Sequence, residues 1–350
     1  MVGTTVTQTG RPGSVCVVTE DTNTTADRIV LELAKLDVSV VRFDLADFPH
    51  HLVLDAALHG SRWGGTLRSR GRTVALEDIG AVLWWHPGKP QIASDGLSDI
   101  QAEWVRKEAA AGLIGVLAAL DCFQFSHPPA ALAAQLKADT LARAALCGVR
   151  VPETWIGNSP IPAREFVTGS PSGAVCKSLV SPAIADGLYS SSFYTSRVEA
   201  AEIDGSIAGS AHQLQHAVEK AYEVRLVVVG REMFAAGIHT HSAAARQDFR
   251  SDYQALSYSH VDIPDSVRDG ITKILDHYRL VYAAIDLIVD PDNQWWLLDL
   301  NPAGNYDWLQ KELPELAISA AIARLLADPH TPAGICGSAL PKEENHADRT

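Results

Sequence analysis

YAAIDLIVDPDNQWWLLDLNPAGN, residues Tyr282 to Asn305, places two apolar runs on either side of the turn-forming Asp290-Pro291-Asp292-Asn293. The pattern predicts a β-hairpin. A turn centred between Asp292 and Asn293 sets Asp286 opposite Asp299 and Ala284 opposite Asn301. Side chains alternate along a strand, so Asp286, Asp299 and Asn301 then share one face. Like charges directly opposed across a sheet repel, so the aspartates call for a proton, a basic partner or a cation. An Asp-Asp-Asn set with no Cys or His beside it points to Mg²⁺ held together with substrate phosphates. Strand-end capping is the plainer account of the same two acids.

The 350-residue chain is long enough for two or three domains or one elaborate α/β unit. Its hydrophobic share of 47% suffices for a packed core, and a charged share of 20% argues against disorder. A formal net charge of −13 excludes broad nucleic-acid binding, so any anionic substrate must be met by local positive charge. Cys16, Cys122, Cys147, Cys176 and Cys336 show no CxxC spacing and read as buried thiols. No signal peptide or apolar span of about 18 residues is legible, so the expectation is a cytoplasmic protein away from membranes.

Ser14–Thr19, Ala26–Leu36 and Val38–Phe43 read as strand, helix and strand, the βαβ start of a parallel sheet. Ser61–Thr66 and Arg72–Leu76 read as a surface hairpin whose Arg62, Arg68, Arg70 and Arg72 are either solvated or a polyanion site. Ala81–Trp85 is a further strand. Its exit, His86-Pro87-Gly88-Lys89-Pro90, stands where α/β proteins place ligand contacts. Helices are expected over Asp99–Leu120, Gln135–Cys147, Ile263–Tyr278 and Glu315–Leu326, with Gly148 capping the second and Gly148–Pro152 resembling a domain boundary.

Ala174–Leu179 is an apolar strand with Lys177 inside it, a costly placement unless the ammonium meets an anion. Val180–Ser192 reads as a lid or an ordinary hairpin loop. In Tyr222–Phe234, two strands around Gly230-Arg231, Glu223 and Arg225 share a face; an internal salt bridge and a phosphate role are both open.

In order along the chain, VVRFDLADFP, AVLWWHP, LCGVRVPETWIGNSP, YEVRLVVVG, FAAGIHTHS, Asp248-Phe249-Arg250 and DLNPAGNYDWL resemble the ATP-grasp superfamily. More closely they resemble graspetide (microviridin-type) peptide maturases. The resemblance implies an α/β chain with the ATP-grasp fold: a leader over 1–13, an N-terminal pre-ATP-grasp α/β domain over 14–130, a small central α+β domain over 131–220, a C-terminal α+β domain over 221–328 and a disordered tail over 329–350. Implied too are ATP and two Mg²⁺ ions as cofactors, a ribosomal precursor peptide with leader and core as partner, and a homodimer. Lys137 and Lys177 would contact the α- and β-phosphates, Gln215 and Val218 the adenine, and Glu223 the ribose. Arg225 would stabilise the transferring phosphoryl group, and Asp286, Asp299 and Asn301 would hold the metal. His239, Asp248 and Arg250 would face the peptide.

The implied reaction phosphorylates an Asp or Glu side chain of the peptide and joins it to a Ser/Thr hydroxyl or Lys amine, closing a ring. Two alternatives share the scaffold: a ligase for free amino acids or small carboxylates, and a silent peptide-binding protein. Two departures stand out: His86-Pro87-Gly88-Lys89-Pro90 replaces the family's Arg-Arg-Pro, and Asp299 replaces the more usual Glu, one methylene longer.

Overall fold

The computed structural model describes residues 13–180, 183–186, 189–192, 195–240 and 255–329. The expected leader up to residue 12, Asp248, Arg250 and the tail from 330 lie outside them. Two compact units emerge. One takes the chain up to Pro128, the turn Val229–Arg231 and the chain from Ser319; the other takes Pro129–Val228 and Glu232–Ile318.

In the first unit β1 (Ser14–Val18), α1 (Thr24–Lys35) and β2 (Val40–Phe43) form the expected βαβ start. Asn23 begins α1 by accepting from the Ala26 amide at 2.9 Å, and Ile29 and Leu33 turn its apolar stripe inward. β3 (Leu52–His59), β4 (Arg62–Ser69) and β5 (Arg72–Ala75) make an antiparallel sheet of three strands where the sequence suggested a two-stranded hairpin. Three of its four arginines have partners in the fold: Arg62 pairs with Asp121, Arg70 with Asp21 and Asp47, and Arg72 donates to the Val40 carbonyl. β6 (Ile79–Trp84), α2 (Asp99–Ala118) and β7 (Phe123–Phe125) complete a parallel sheet in the order β2-β1-β6-β7. The inner face of α2, with Leu113, Val116 and Leu117, closes a core that includes Cys16, Phe43, Leu67 and Trp84.

The second unit begins with α3 (Pro128–Ala134), whose first residue falls in the first unit, and α4 (Lys137–Leu146), which ends at Gly148 in a left-handed conformation, φ +83°. The segment Gly148–Pro152 lies within this unit and leads into a smaller sheet. That sheet is built from β8 (Thr154–Gly157), backed by α5 (Pro160–Thr168), and β9 (Ala174–Lys177). β10 (Ala183–Asp186) and β11 (Tyr189–Ser192) pair as an antiparallel hairpin in the stretch read as lid or loop. β12 (Ser196–Val198) and β13 (His212–His216) then give the sheet order β12-β9-β13-β8 over a core of Ala163, Val167, Ala174 and Leu214.

β14 (Tyr222–Val229), β15 (Glu232–Thr240) and β16 (Leu256–His260) precede α6 (Asp265–Tyr278), and the expected hairpin follows as β17 (Tyr282–Val289) and β18 (Trp295–Asn301). This larger sheet runs β16-β15-β14-β17-β18. One face packs Val224, Leu226, Ile285 and Leu287 against α4 and α6. A Cβ on Gly270 would lie 2.5 Å from Val149 Cγ2, so only glycine lets α6 sit that close. α7 (Asp307–Glu312) follows β18, and α8 (Ile318–Ala327), from Ser319 on, is grouped with the first unit. No described helix is long and apolar enough to cross a membrane.

Ile285 is fully buried in this core, and truncating such a side chain removes contacts the neighbours cannot replace. Ile285→Ala should lower unfolding stability by about 2–5 kcal/mol. Denaturant melts check this, and an unchanged midpoint would contradict the packing described.

Candidate functional site

On β17, Ala283, Ile285 and Leu287 point into the core, leaving Tyr282, Ala284 and Asp286 on the other face. Asp286 pairs with Asp299 and Ala284 with Asn301, as the sequence suggested. The route there differs. Nearer the turn Leu287 pairs with Leu297 and Val289 with Trp295, so Leu298 is an extra residue, a β-bulge. The bulge switches the alternation of β18: Trp295 and Leu297 face the core before it and Leu300 after it. Asp299 and Asn301 are thereby turned onto the face of Asp286.

Both carboxylates are held by cations. Arg225 Nη1 donates to Asp286 Oδ1 at 2.7 Å, and Lys137 Nζ, on the first residue of α4, lies 3.3 Å from Asp299 Oδ2. Arg225 Nη2 also donates to the Asn305 carbonyl at 2.9 Å. A Cβ on Gly304 would come within 2.9 Å of that Nη2 and 2.6 Å of Ala284 Cβ, so glycine lets the loop after β18 close on the guanidinium. The buried Tyr282 hydroxyl fastens the same loop by donating to the Gly304 carbonyl at 2.5 Å. Asn301 Oδ1 accepts from the Ala303 amide at 3.0 Å. The Glu223–Arg225 ion pair left open by the sequence gives way to separate partners: Glu223 pairs with Lys220.

The smaller sheet contributes a second polar face. Lys177 stands opposite Gln213, and Gln215 opposite Val175 and Thr154, whereas Leu214 and Ala174 fill the core behind. Gln215 Nε2 donates to Thr154 Oγ1 at 2.9 Å, but the Oε1 atoms of Gln213 and Gln215 are buried without a hydrogen-bond partner. Arg225 Nε is buried and unpartnered as well. Desolvation lowers the pKa of Lys177, and Lys137 adds to this, while Asp299, Asp286 and Glu223 oppose it. Those couplings place Lys177 in one electrostatic cluster with both aspartates.

The structure thus gathers Lys137, Lys177, Glu223, Arg225, Asp286, Asp299 and Asn301, with Gln215 one sheet position away. Val218 is partly buried in the segment leading out of β13. His239 is not brought in. It bonds to Ser259 Oγ at 2.9 Å and stacks near Tyr222, whose ring packs against the core on the other side of the sheet. Sequence reasoning missed Gln213, Tyr282 and Gly304. The first two were findable, because each follows a named residue's face by strand alternation or pairing.

The donor set fits the groups it would hold. Among the described residues no three His, Cys, Asp or Glu side chains converge to bind a metal unaided. Two carboxylates about a third exposed plus one amide oxygen suit Mg²⁺, which keeps waters and shares its coordination with phosphates. The orphaned amide oxygens and the two lysines suit the base and phosphates of a nucleotide.

Residues 14–131 match the family model of the MvdD pre-ATP-grasp domain. A RiPP-associated ATP-grasp ligase from Chryseobacterium gregarium, solved in complex with ADP and a leader and core peptide, is similar at 25% identity. That match has a TM-score of 0.81 and spans 92% of this chain and 98% of that one. The macrocyclase MdnC from Microcystis aeruginosa MRC, bound with precursor peptide MdnA, is similar at 25% identity and a TM-score of 0.78 over 89% and 98%. The ligase PsnB, complexed with minimal precursor, Mg and ADP, matches in fold at 18% identity and a TM-score of 0.68 over 88% and 97%. No curated protein sequence matches.

Because the folded pKa of Lys177 lies below its ordinary value, stability should rise with pH across the window between the two. Lys177→Met should remove that rise and lift the thermal midpoint at neutral pH by roughly 2–4 °C. Calorimetry across pH tests this; a lower midpoint for the variant would show that the ammonium stabilises the fold instead.

Proposed function

We propose that this chain, which has the ATP-grasp fold of RiPP-associated ligases, is an ATP-dependent carboxylate ligase that macrocyclises a ribosomal precursor peptide. The observation that carries the reading is the apposed Asp286 and Asp299, held by Arg225 and Lys137 beside Lys177. Each charge in that cluster has a counterpart in a metal–nucleotide: carboxylates for the metal, ammonium and guanidinium groups for the phosphates. Binding exchanges one set of ion pairs for another instead of stripping charges bare.

Mg²⁺, where bound, would neutralise charge building on the phosphates. Asp286, Asp299 and the Asn301 amide oxygen would hold it, and Lys137 and Lys177 would grip the α- and β-phosphates. Gln215, the Val218 segment and the neighbouring Gln213 would receive the adenine, and Glu223 the ribose. Arg225 would steady the γ-phosphoryl group as a peptide carboxylate oxygen attacks phosphorus and the bond to ADP breaks. A Ser or Thr hydroxyl, or a Lys amine, then attacks the activated carbonyl and phosphate departs, leaving an ester or amide. Asp248 and Arg250 would meet the peptide. His239 is left out of this assignment because it lies with Tyr222 behind the sheet. A homodimer is part of the same reading.

The test is incubation with ATP, Mg²⁺ and a peptide bearing a leader and a Thr/Ser–Glu/Asp core encoded beside this chain, followed by mass spectrometry. The expected result is the loss of one water per linkage with ADP formation; an unchanged peptide mass despite ADP formation would overturn macrocyclisation. Asp299→Asn should cut turnover at least about 100-fold, and Arg225→Ala about 1000-fold, both in kcat. Near-normal kcat in either would refute that residue's assignment.

A further inference from the structure

Lys137 opens α4 at a helix start that lacks the usual anchor. Leu136, at the N-cap, offers no side chain to the amides of the first turn, where a Ser, Thr, Asn or Asp commonly fastens a helix. The Thr140 hydroxyl donates back to the Lys137 carbonyl at 3.1 Å, which ties the turn to itself but to nothing outside α4. The outside tie comes from Asp139, two residues past the lysine in that first turn. Its Oδ2 accepts from the hydroxyl of Tyr278, the last residue of α6. Tyr278 is 7% exposed, and burial, then the bond to Asp139, pushes its pKa up, so the phenol stays protonated and remains the donor.

The Tyr278 end of this strut is firmly fixed. Arg279 leaves α6 in a left-handed conformation, φ +56°, and the Leu280 amide returns to the Leu275 carbonyl at 2.9 Å. Three residues separate Tyr278 from Tyr282, where β17 begins on its way to Asp286. A single charge-assisted hydrogen bond therefore joins the helix turn that bears Lys137 to the chain that feeds the strand of Asp286. Phosphate contacts depend steeply on placement, and a shift of about 1 Å in a supporting element is enough to spoil one. We propose that Tyr278 is a positioning residue: through Asp139, its hydroxyl holds the first turn of α4 where Lys137 Nζ lies 3.3 Å from Asp299 Oδ2, and so sets how tightly the site grips the phosphates of a nucleotide. This rests on the nucleotide reading above and deepens it.

Isothermal titration of the full chain with Mg·ADP, at a temperature where every variant is folded, tests it. Tyr278→Phe keeps the ring that packs in the core and deletes only the hydroxyl, so it should weaken Mg·ADP binding about five- to tenfold. Lys137→Ala should weaken binding too. Adding Tyr278→Phe to Lys137→Ala should then weaken it no further, because the hydroxyl acts through that lysine. A merely structural loss would instead lower affinity alike in both backgrounds. A wild-type chain that does not bind Mg·ADP overturns the nucleotide site and the strut together. Wild-type affinity in Tyr278→Phe overturns the strut alone, and a loss that persists undiminished beside Lys137→Ala overturns its action through Lys137.

Discussion

Two carboxylates face each other across neighbouring strands of a sheet whose other side is solid hydrocarbon, and the second unit is arranged around relieving that repulsion. Arg225 arrives from the adjacent strand and Lys137 from the first residue of a helix packed on the far face. The apolar core therefore does more than stabilise. By fixing α4 and β14 against β17 and β18, it sets how closely each cation approaches its acid. The loop after β18, drawn in by Tyr282 and admitted by Gly304, locks the guanidinium from a third side.

Such a cluster is unfavourable in isolation. Lys177 is held where desolvation disfavours its charge, and two glutamine oxygens are buried without partners, each at a cost of about 1–3 kcal/mol. In the proposed function a bound nucleotide would repay these costs, with phosphates for the lysine and donors for the amide oxygens. Stability and function are opposed at these positions, as is common where a site is organised ahead of binding.

Much of the architecture was legible in the sequence. Strand alternation and turn chemistry marked β1, β2, β6, β14, β15 and the β17–β18 hairpin, and helix periodicity with Gly148 marked α4. β3 escaped because LVLDAALH lacks strict apolar–polar alternation, although Gly60 and Ser61 join it to β4 in a tight hairpin. Among site residues, Lys177 was visible as a charge inside an apolar strand. Gln213 was passed over although alternation puts it on the face of Gln215, and its place opposite Lys177 becomes visible only with the pairing of β9 and β13. His239 was assigned by motif order, and order along a chain says nothing about which side of a sheet a residue faces. The Asp286–Asp299 pairing was anticipated from a turn centre half a residue away from the observed one, the bulge at Leu298 supplying the difference.

That bulge acts as a frame shift in the pleat. On the turn side of Leu298 the odd-numbered residues of β18 belong to the interior, and on the site side the even-numbered ones do. The two halves of the hairpin are thus separately registered. Side chains near the tip can be exchanged without disturbing the acids, but gain or loss of a single residue between Leu297 and Asp299 would carry a charge into the hydrocarbon and a leucine out to the face of Asp286. The hairpin can therefore change freely in composition and hardly at all in length at that one point.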